Sequence, residues 1–417
     1  MSKLNTVVGI DIGTSGVRTI IAQKPENENE VPQIIGVGEA SSLGIKKGMV
    51  IDIGETVNSI NESVEQAERM AGVPVENAYV SLGNSDITYQ FSKGAIAMGK
   101  PDGEVTEGDV ERAINAAQTI SVPNNKEIIH VIPQKFSLDN QDEIKDPVDM
   151  SGVKLEANCM VIESPSSCLK NIDKCLYQAG ITLEELVLSS LAAQMATLTK
   201  RQKELGVVLI NIGGGTTSLA VYEDGELLHV RVIPIGGGNI TNDIAIGLRT
   251  SIEVAEDVKV KYGSCLPAEI NKKDQIDLSK FDKNEESVVS RRHVAEIIEA
   301  RIEEIFELVN KELKSIDRDG MLPAGAVIVG GSSRVIGCVD LGKKILKLPT
   351  QNGFPSKELG GMADKVDEPG FITAIGLIYW GLENKVESSS IGGIKNIFSR
   401  LVSVATKLYK WSKTFLP

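Results

Sequence analysis

Two stretches about 200 residues apart carry the same candidate chemistry. Val7-Val-Gly-Ile-Asp-Ile-Gly-Thr-Ser-Gly16 and Val207-Val-Leu-Ile-Asn-Ile-Gly-Gly-Gly-Thr-Thr217 each run from an apolar segment into a turn of glycine and hydroxyl residues. Bare glycine lets backbone approach an anion closely, and successive N–H groups in such a turn form a concave donor surface. Gly13 and Gly213, Gly214 and Gly215 supply the backbone; Thr14, Ser15, Thr216 and Thr217 add hydroxyl donors. One such turn is weak ground, because ordinary tight turns use the same residues. The duplication points to a phosphate gripped from two sides. A third glycine element, Gly330, Gly331, Ser332 and Ser333, follows the apolar Ala326–Val329 and precedes a helix-like stretch from Val335 to Leu346. There, bare glycines and a helix start could bracket a purine or its phosphates. Glu256 and Lys259, three apart, could grip ribose hydroxyls or simply form a surface ion pair.

The elements that must position these residues are legible around them. Each glycine turn lies between two strand-like runs, ending at Gln23 in the first copy and at Tyr222 in the second, so each is predicted to be the tip of a β-hairpin. Ser251 to Gly263 reads as a helix with Ser251 before it and Gly263 closing it, placing Glu256 and Lys259 on one face. Other chemistry finds little support. His130, His229 and His293 are far apart in sequence, and Cys159, Cys168, Cys175, Cys265 and Cys338 show no paired metal spacing. Neither a zinc cluster nor a Ser-His-Asp triad is suggested, and an odd set of cysteines is read as free thiols in a reducing compartment.

The 417 residues suffice for two or more cores, and 41% apolar with 24% charged content is ordinary for a folded body. A net charge of −13 argues against nucleic acid as a partner. The chain opens with no apolar secretory run, so export is not expected. Its charge is unevenly spread. After Glu387 there is no acidic residue, and Lys395, Arg400, Lys407, Lys410 and Lys413 accumulate. Between them Ile394, Ile397, Leu401, Val404, Leu408, Trp411 and Phe415 recur at steps of three and four, with Phe398 beside them, which is the stripe of an amphipathic helix. The small residues of 384–393 read as a flexible linker. A cationic helix of this kind over 394–417 is expected to lie flat on an anionic lipid surface, and its charges are too frequent for it to span a bilayer.

With these motifs assembled, the chain resembles the actin, sugar kinase and heat-shock chaperone superfamily, and within it the FtsA family of bacterial cell-division proteins. Besides the hairpins, the resemblance rests on Asp146-Pro-Val-Asp-Met-Ser-Gly-Val-Lys-Leu-Glu156, Lys203-Glu-Leu-Gly206, Pro234-Ile-Gly-Gly-Gly-Asn-Ile-Thr-Asn-Asp-Ile-Ala245, the Glu256 and Lys259 helix, Glu368-Pro-Gly-Phe-Ile-Thr-Ala-Ile-Gly-Leu377 and the terminal amphipathic segment. It implies an α/β fold of two actin-like, ribonuclease H-like halves around a nucleotide cleft, with a small α/β insert in each half and the C-terminal helix. The implied first half is 1–84 with 161–195, its insert 85–160; the second half is 196–227 with 312–383, its insert 228–311. Within the first insert, strand-like Ile87 to Phe91, Ala95 to Met98 and Ile128 to Leu138 and a helix from Glu107 capped by Thr106 fit this plan. Within the second, 271–286 reads as a polar loop. A helix from Arg291 follows, with Ile298, Ile302, Ile305, Val309 and Leu313 as its core stripe.

Carried over by resemblance, Asp11 holds magnesium through water, and the residues Gly13 to Ser15 and Gly213 to Thr217 clasp the phosphates of ATP. Asn211, Gly237, Gly238 and Asn239 join the nucleotide site, Glu256 and Lys259 meet the ribose, and Gly330 to Ser333 line the purine. Asn211 stands where many superfamily members carry Asp, and Ser189-Ser-Leu-Ala-Ala-Gln194 lacks the Glu of chaperones, so slow hydrolysis or none is expected. Implied partners are the FtsZ C-terminal peptide, further copies of the chain in a filament, other division proteins and the cytoplasmic face of the membrane. The peptide is expected on the helix from Arg291, where Arg292 and Arg301 face opposite ways; Arg301, where the family match is closest, is the first choice. A small-molecule kinase or phosphatase of the superfamily would need a catalytic base above the γ-phosphate, for which only Asp11 offers itself. A pilus-assembly relative would share the hairpins and small insert without needing the basic terminal helix.

Overall fold

The computed structural model describes residues 5–25, 30–99, 103–283, 285 and 287–383. Both glycine turns form as hairpin tips. Thr6–Ile12 pairs antiparallel with Gly16–Gln23, and Val207–Ile212 with Thr217–Glu223. Around each hairpin the same sheet is built. In the first half the strand order is Gln33–Ser41, Gly16–Gln23, Thr6–Ile12, Asn77–Leu82, Thr182–Leu188. In the second it is Glu226–Ile233, Thr217–Glu223, Val207–Ile212, Gly325–Val329, Thr350–Asn352. Both are antiparallel through the hairpin and parallel beyond it, so the duplicated motif marks a duplicated core.

Buried faces follow the sequence pattern. Helix Ile53–Ala71 starts at Asp52, whose side chain accepts from the Glu55 N–H, and packs Ile60, Val64 and Ala67 on the first sheet. In the second half, helix Arg291–Ser315 buries the whole stripe Ile298, Ile302, Ile305, Val309 and Leu313, as the spacing predicts. The first insert has its own core under a four-stranded antiparallel sheet. Its strand order is Thr88–Ala97, Lys154–Pro165, Lys126–Leu138, Gln141–Ile144, and helix Glu107–Ala117 covers it. Thr88–Ala97 is a single strand where two short runs are expected from the sequence.

Two boundaries differ from expectation. Strand Glu226–Ile233 belongs to the second core sheet, so the second insert begins after it. After Asn352 the chain leaves the second half: Gly360–Gly361 pairs with Gln33–Ser41, and helix Ile372–Glu383 packs on the first sheet and on helix Ser189–Thr197. The 271–286 region also holds some order, a short strand Gln275–Asp277 paired with Val288–Ser290.

Candidate functional site

The two hairpin tips meet. A Cβ on Gly214 would fall 2.8 Å from Ser15 Cβ, and one on Gly215 would fall 2.6 Å from Thr14 Oγ1. Only glycine backbone allows this approach. Behind the second tip, helix Gly237–Leu248 begins, and its first free N–H groups donate to that tip: Gly237 N to Gly213 O at 2.8 Å and Gly238 N to Gly214 O at 2.7 Å. Between the halves lies a cavity of about 760 Å³, lined by Asp11, Gly13, Thr14 and Ser15 on one side and Asn211, Gly213, Gly214, Gly215 and Thr216 on the other. Gly237, Gly238, Glu256, Lys259, Gly330, Gly331 and Ser332 complete its wall. Gly330 has φ +87, and a Cβ there would sit 2.5 Å from Asn211 Oδ1, so this corner requires glycine.

Asp11 is the acidic group at the end of the cavity where the two tips meet. Its Oδ1 accepts from Ser81 Oγ at 2.6 Å. Burial pushes its carboxyl above the ordinary range, against the lowering effects of Ser81 and of the Arg18 charge. Across from it, Asn211 Nδ2 donates to Thr373 Oγ1 at 3.2 Å. At the other end Lys259 Nζ meets Glu256 Oε2 at 2.6 Å, Thr241 Oγ1 at 2.9 Å and Gly237 O at 3.3 Å, while Thr241 also bonds Glu256. The ion pair and the cavity wall are thus one arrangement. Val260 and Ile336, 76% and 59% exposed, leave apolar surface open on the same wall.

Three candidates stand apart from the cavity surface. Thr217 is buried and donates to Ile235 O (2.8 Å), Ser333 is buried and donates to Gly330 O (2.8 Å), and Asn239 Oδ1 accepts from Gly236 N (3.1 Å). Each polar side chain satisfies nearby backbone and so shapes the wall from behind. Gln194 is also buried, and its amide donates to Leu191 O; Ser189 of the same helix lines the cavity instead. Further wall residues not expected from the sequence are Arg18, Gly48, Ser81, Ser218 and Thr373. The Lys47-Gly48 pair between two short apolar runs was the available signal for one of them.

A family model described as Cell division protein FtsA matches residues 208–376, and one described as SHS2 domain inserted in FTSA matches residues 84–163, which is the four-stranded insert. The cell division protein FtsA of Bacillus subtilis is 39% identical over 393 residues, covering 94% of this chain and 87% of that protein. Those of Pseudomonas aeruginosa and Escherichia coli are 35% and 32% identical, each covering 92% of this chain. The chain belongs to the FtsA family. It is therefore an actin-like cell-division protein.

Solved structures agree on the fold. The PilM-PilN type IV pilus biogenesis complex matches with TM-score 0.65 at 16% identity, over 90% of this chain and 98% of that one. MreB5 of Spiroplasma citri bound to ADP matches with TM-score 0.52 at 14% identity, over 91% of this chain and 99% of that one. In this FtsA-family chain the two candidate partner arginines differ sharply. Arg301 is gripped by Asp243 through two bonds, Nε–Oδ2 at 2.6 Å and Nη2–Oδ1 at 3.0 Å, and also pairs with Glu304. Arg292 makes one longer contact, Nε to Glu296 Oε1 at 3.3 Å. The expected linker and membrane helix, 384–393 and 394–417, lie outside the described residues. Among the described residues, no helix is long and apolar enough to cross a membrane.

Proposed function

We propose that this protein binds ATP with magnesium in the cleft, assembles into filaments and holds the FtsZ ring to the cytoplasmic face of the membrane through residues 394–417. The observation that carries the nucleotide reading is the meeting of two glycine tips across one cavity, each lining it with bare glycine and hydroxyl residues. The cavity volume suits a nucleotide, and Val260 and Ile336 would face the base while Glu256 and Lys259 meet the ribose. The donor set fits magnesium: a cation that keeps most of its waters and takes one carboxylate plus substrate phosphates would find Asp11 as that carboxylate. Bound there, it would neutralise phosphate charge. Asp11 and Ser81 would orient its water, and Asn211, an amide, would leave the attacking water without a second carboxylate. Turnover is accordingly slow.

Tethering FtsZ is the role of the family, and the cationic amphipathic stripe of 394–417 supports a peripheral, lipid-surface attachment. For the FtsZ tail peptide, helix Arg291–Ser315 remains the proposed surface, with Arg292 ahead of Arg301 because a peptide carboxylate reaching Arg301 must first displace Asp243. The test is recruitment of FtsZ polymers to anionic vesicles. Recruitment by the full chain, and its loss on deleting residues 384–417, supports the reading. Recruitment that survives the deletion refutes it.

A further inference from the structure

Residues 45–50 fold over the meeting point of the two tips as a small hairpin, Ile45–Lys46 paired with Met49–Val50. Gly48 lines the cavity and donates from its N–H to Thr14 Oγ1 at 3.1 Å, on the first tip. The Lys47 backbone N lies 3.0 Å from where a Cβ on Gly215 would be, on the second tip. The turn therefore touches both phosphate candidates at once.

Its backbone is unusual. Lys47 has φ +51 and Gly48 φ +72, the left-handed pair of a two-residue hairpin turn that favours Asn-Gly. Gly48 has no alternative, since a Cβ there would strike Gly83 O at 2.2 Å. Lysine at the first position is conformationally unfavourable, and a strained residue adjoining Gly48 at the cavity's rim, though not itself in the lining, points to a use for its side chain.

The cavity's own cations leave that use open. Arg18 pairs with Glu39 at 2.7 Å, Lys259 with Glu256, and Arg334 with Glu368 at 3.1 Å. Lys261 lies over the rings of Tyr262 and Phe281. Lys47, by contrast, is exposed and holds no ion pair with any described residue. Its flexible four-carbon stem makes it a mobile point charge.

We propose that Lys47 is the cation that meets the terminal phosphate of the bound nucleotide, so that this hairpin distinguishes a triphosphate from a diphosphate. The inference rests on the nucleotide reading above and adds a third loop to it. The discriminating variant is Lys47→Asn, which removes the charge yet suits the left-handed turn better than lysine does. Calorimetry with Mg-ATP and Mg-ADP on the full chain should show ATP affinity falling tenfold or more in Lys47→Asn and ADP affinity changing less than threefold. The melting temperature should be equal or higher. Equal effects on both nucleotides, or on neither, overturn the assignment of Lys47 while leaving the cleft as the nucleotide site. A wild-type chain that binds neither nucleotide overturns both readings, and Lys47→Arg with wild-type ATP affinity would support the charge as the operative property.

Discussion

Inserting one methyl group at Gly214 should separate the two hairpin tips and weaken ATP binding without unfolding the protein. The added Cβ would lie 2.8 Å from Ser15 Cβ and 3.1 Å from Ser15 N. Unstrained carbon contacts run about 3.5–4.0 Å, so the tips must part by roughly 1 Å. In a rigid core such overpacking costs about 1–3 kcal/mol. Here the strain falls where two hairpin tips meet at the edge of a cavity and not inside a packed core, so the melting temperature should fall little. Nucleotide affinity depends on both tips reaching the phosphates together. Losing one charge-assisted backbone contact, worth about 1.5–3 kcal/mol, predicts roughly 10- to 100-fold weaker ATP binding for Gly214→Ala. Gly214→Asp adds a negative charge facing the phosphates and should abolish measurable binding. Gly99→Ala, away from the cavity, is the matched control, because a Cβ there meets nothing within 4 Å. Calorimetry on all three, with thermal unfolding alongside, is the assay. Wild-type affinity in a folded Gly214→Ala protein, or an equal loss in Gly99→Ala, would refute the two-tip argument.

Replacing Asn211 with Asp restores a second carboxylate beside Asp11 and should raise phosphate release severalfold; an unchanged rate means that another absent group limits hydrolysis. At the seam between the first insert and the second half, burial pushes Glu226 up to about 7, with Lys135 at 3.9 Å only partly opposing it. The folded state therefore holds this proton more tightly than the unfolded chain does, and its stabilising effect, full at about pH 4.5, is lost as pH rises through 7. Glu226→Gln should accordingly stabilise by roughly 1–3 kcal/mol at pH 8.5 and by little at pH 4.5 in urea denaturation; equal gains at both would contradict the burial argument. Arg292→Glu should weaken a labelled FtsZ tail peptide more than tenfold by fluorescence anisotropy. Arg301→Glu should chiefly lower the melting temperature, because it sets three carboxylates together; unaltered affinity in both variants removes the peptide from this helix.

Local pattern carried much of the architecture. The hairpins, the helix with its stripe Ile298 to Leu313 and the strands and helix of the first insert are periodic segments whose buried face can be read directly. What local pattern does not encode is where a segment goes next. Helix Ile372–Glu383 is apolar on nearly every side and buried from Ile372 to Gly381; nothing in it says that it packs on the first sheet and not the second. The site was legible in its glycines and less so in its side chains. Thr217, Ser333 and Asn239 have the same chemistry as the residues that line the cavity, yet short hydroxyl and amide groups readily bond nearby backbone, and here they do. Gly48 enters the wall only because residues 45–50 fold back onto Thr14, a tertiary contact with no counterpart in sequence spacing. For Arg301 the sequence supplies the cation but not Asp243, 58 positions away, that holds it.

The central claim joins nucleotide, assembly and membrane in one molecule, and electron microscopy of the full chain on anionic vesicles, with and without Mg-ATP, tests all three together. Ordered filaments are expected on the vesicle surface with Mg-ATP. They should disappear in Trp411→Glu, where a side chain worth about 1.5–3 kcal/mol of burial becomes a charge. Vesicles left bare by the wild-type protein, or filaments equally abundant on them in Trp411→Glu, would contradict it.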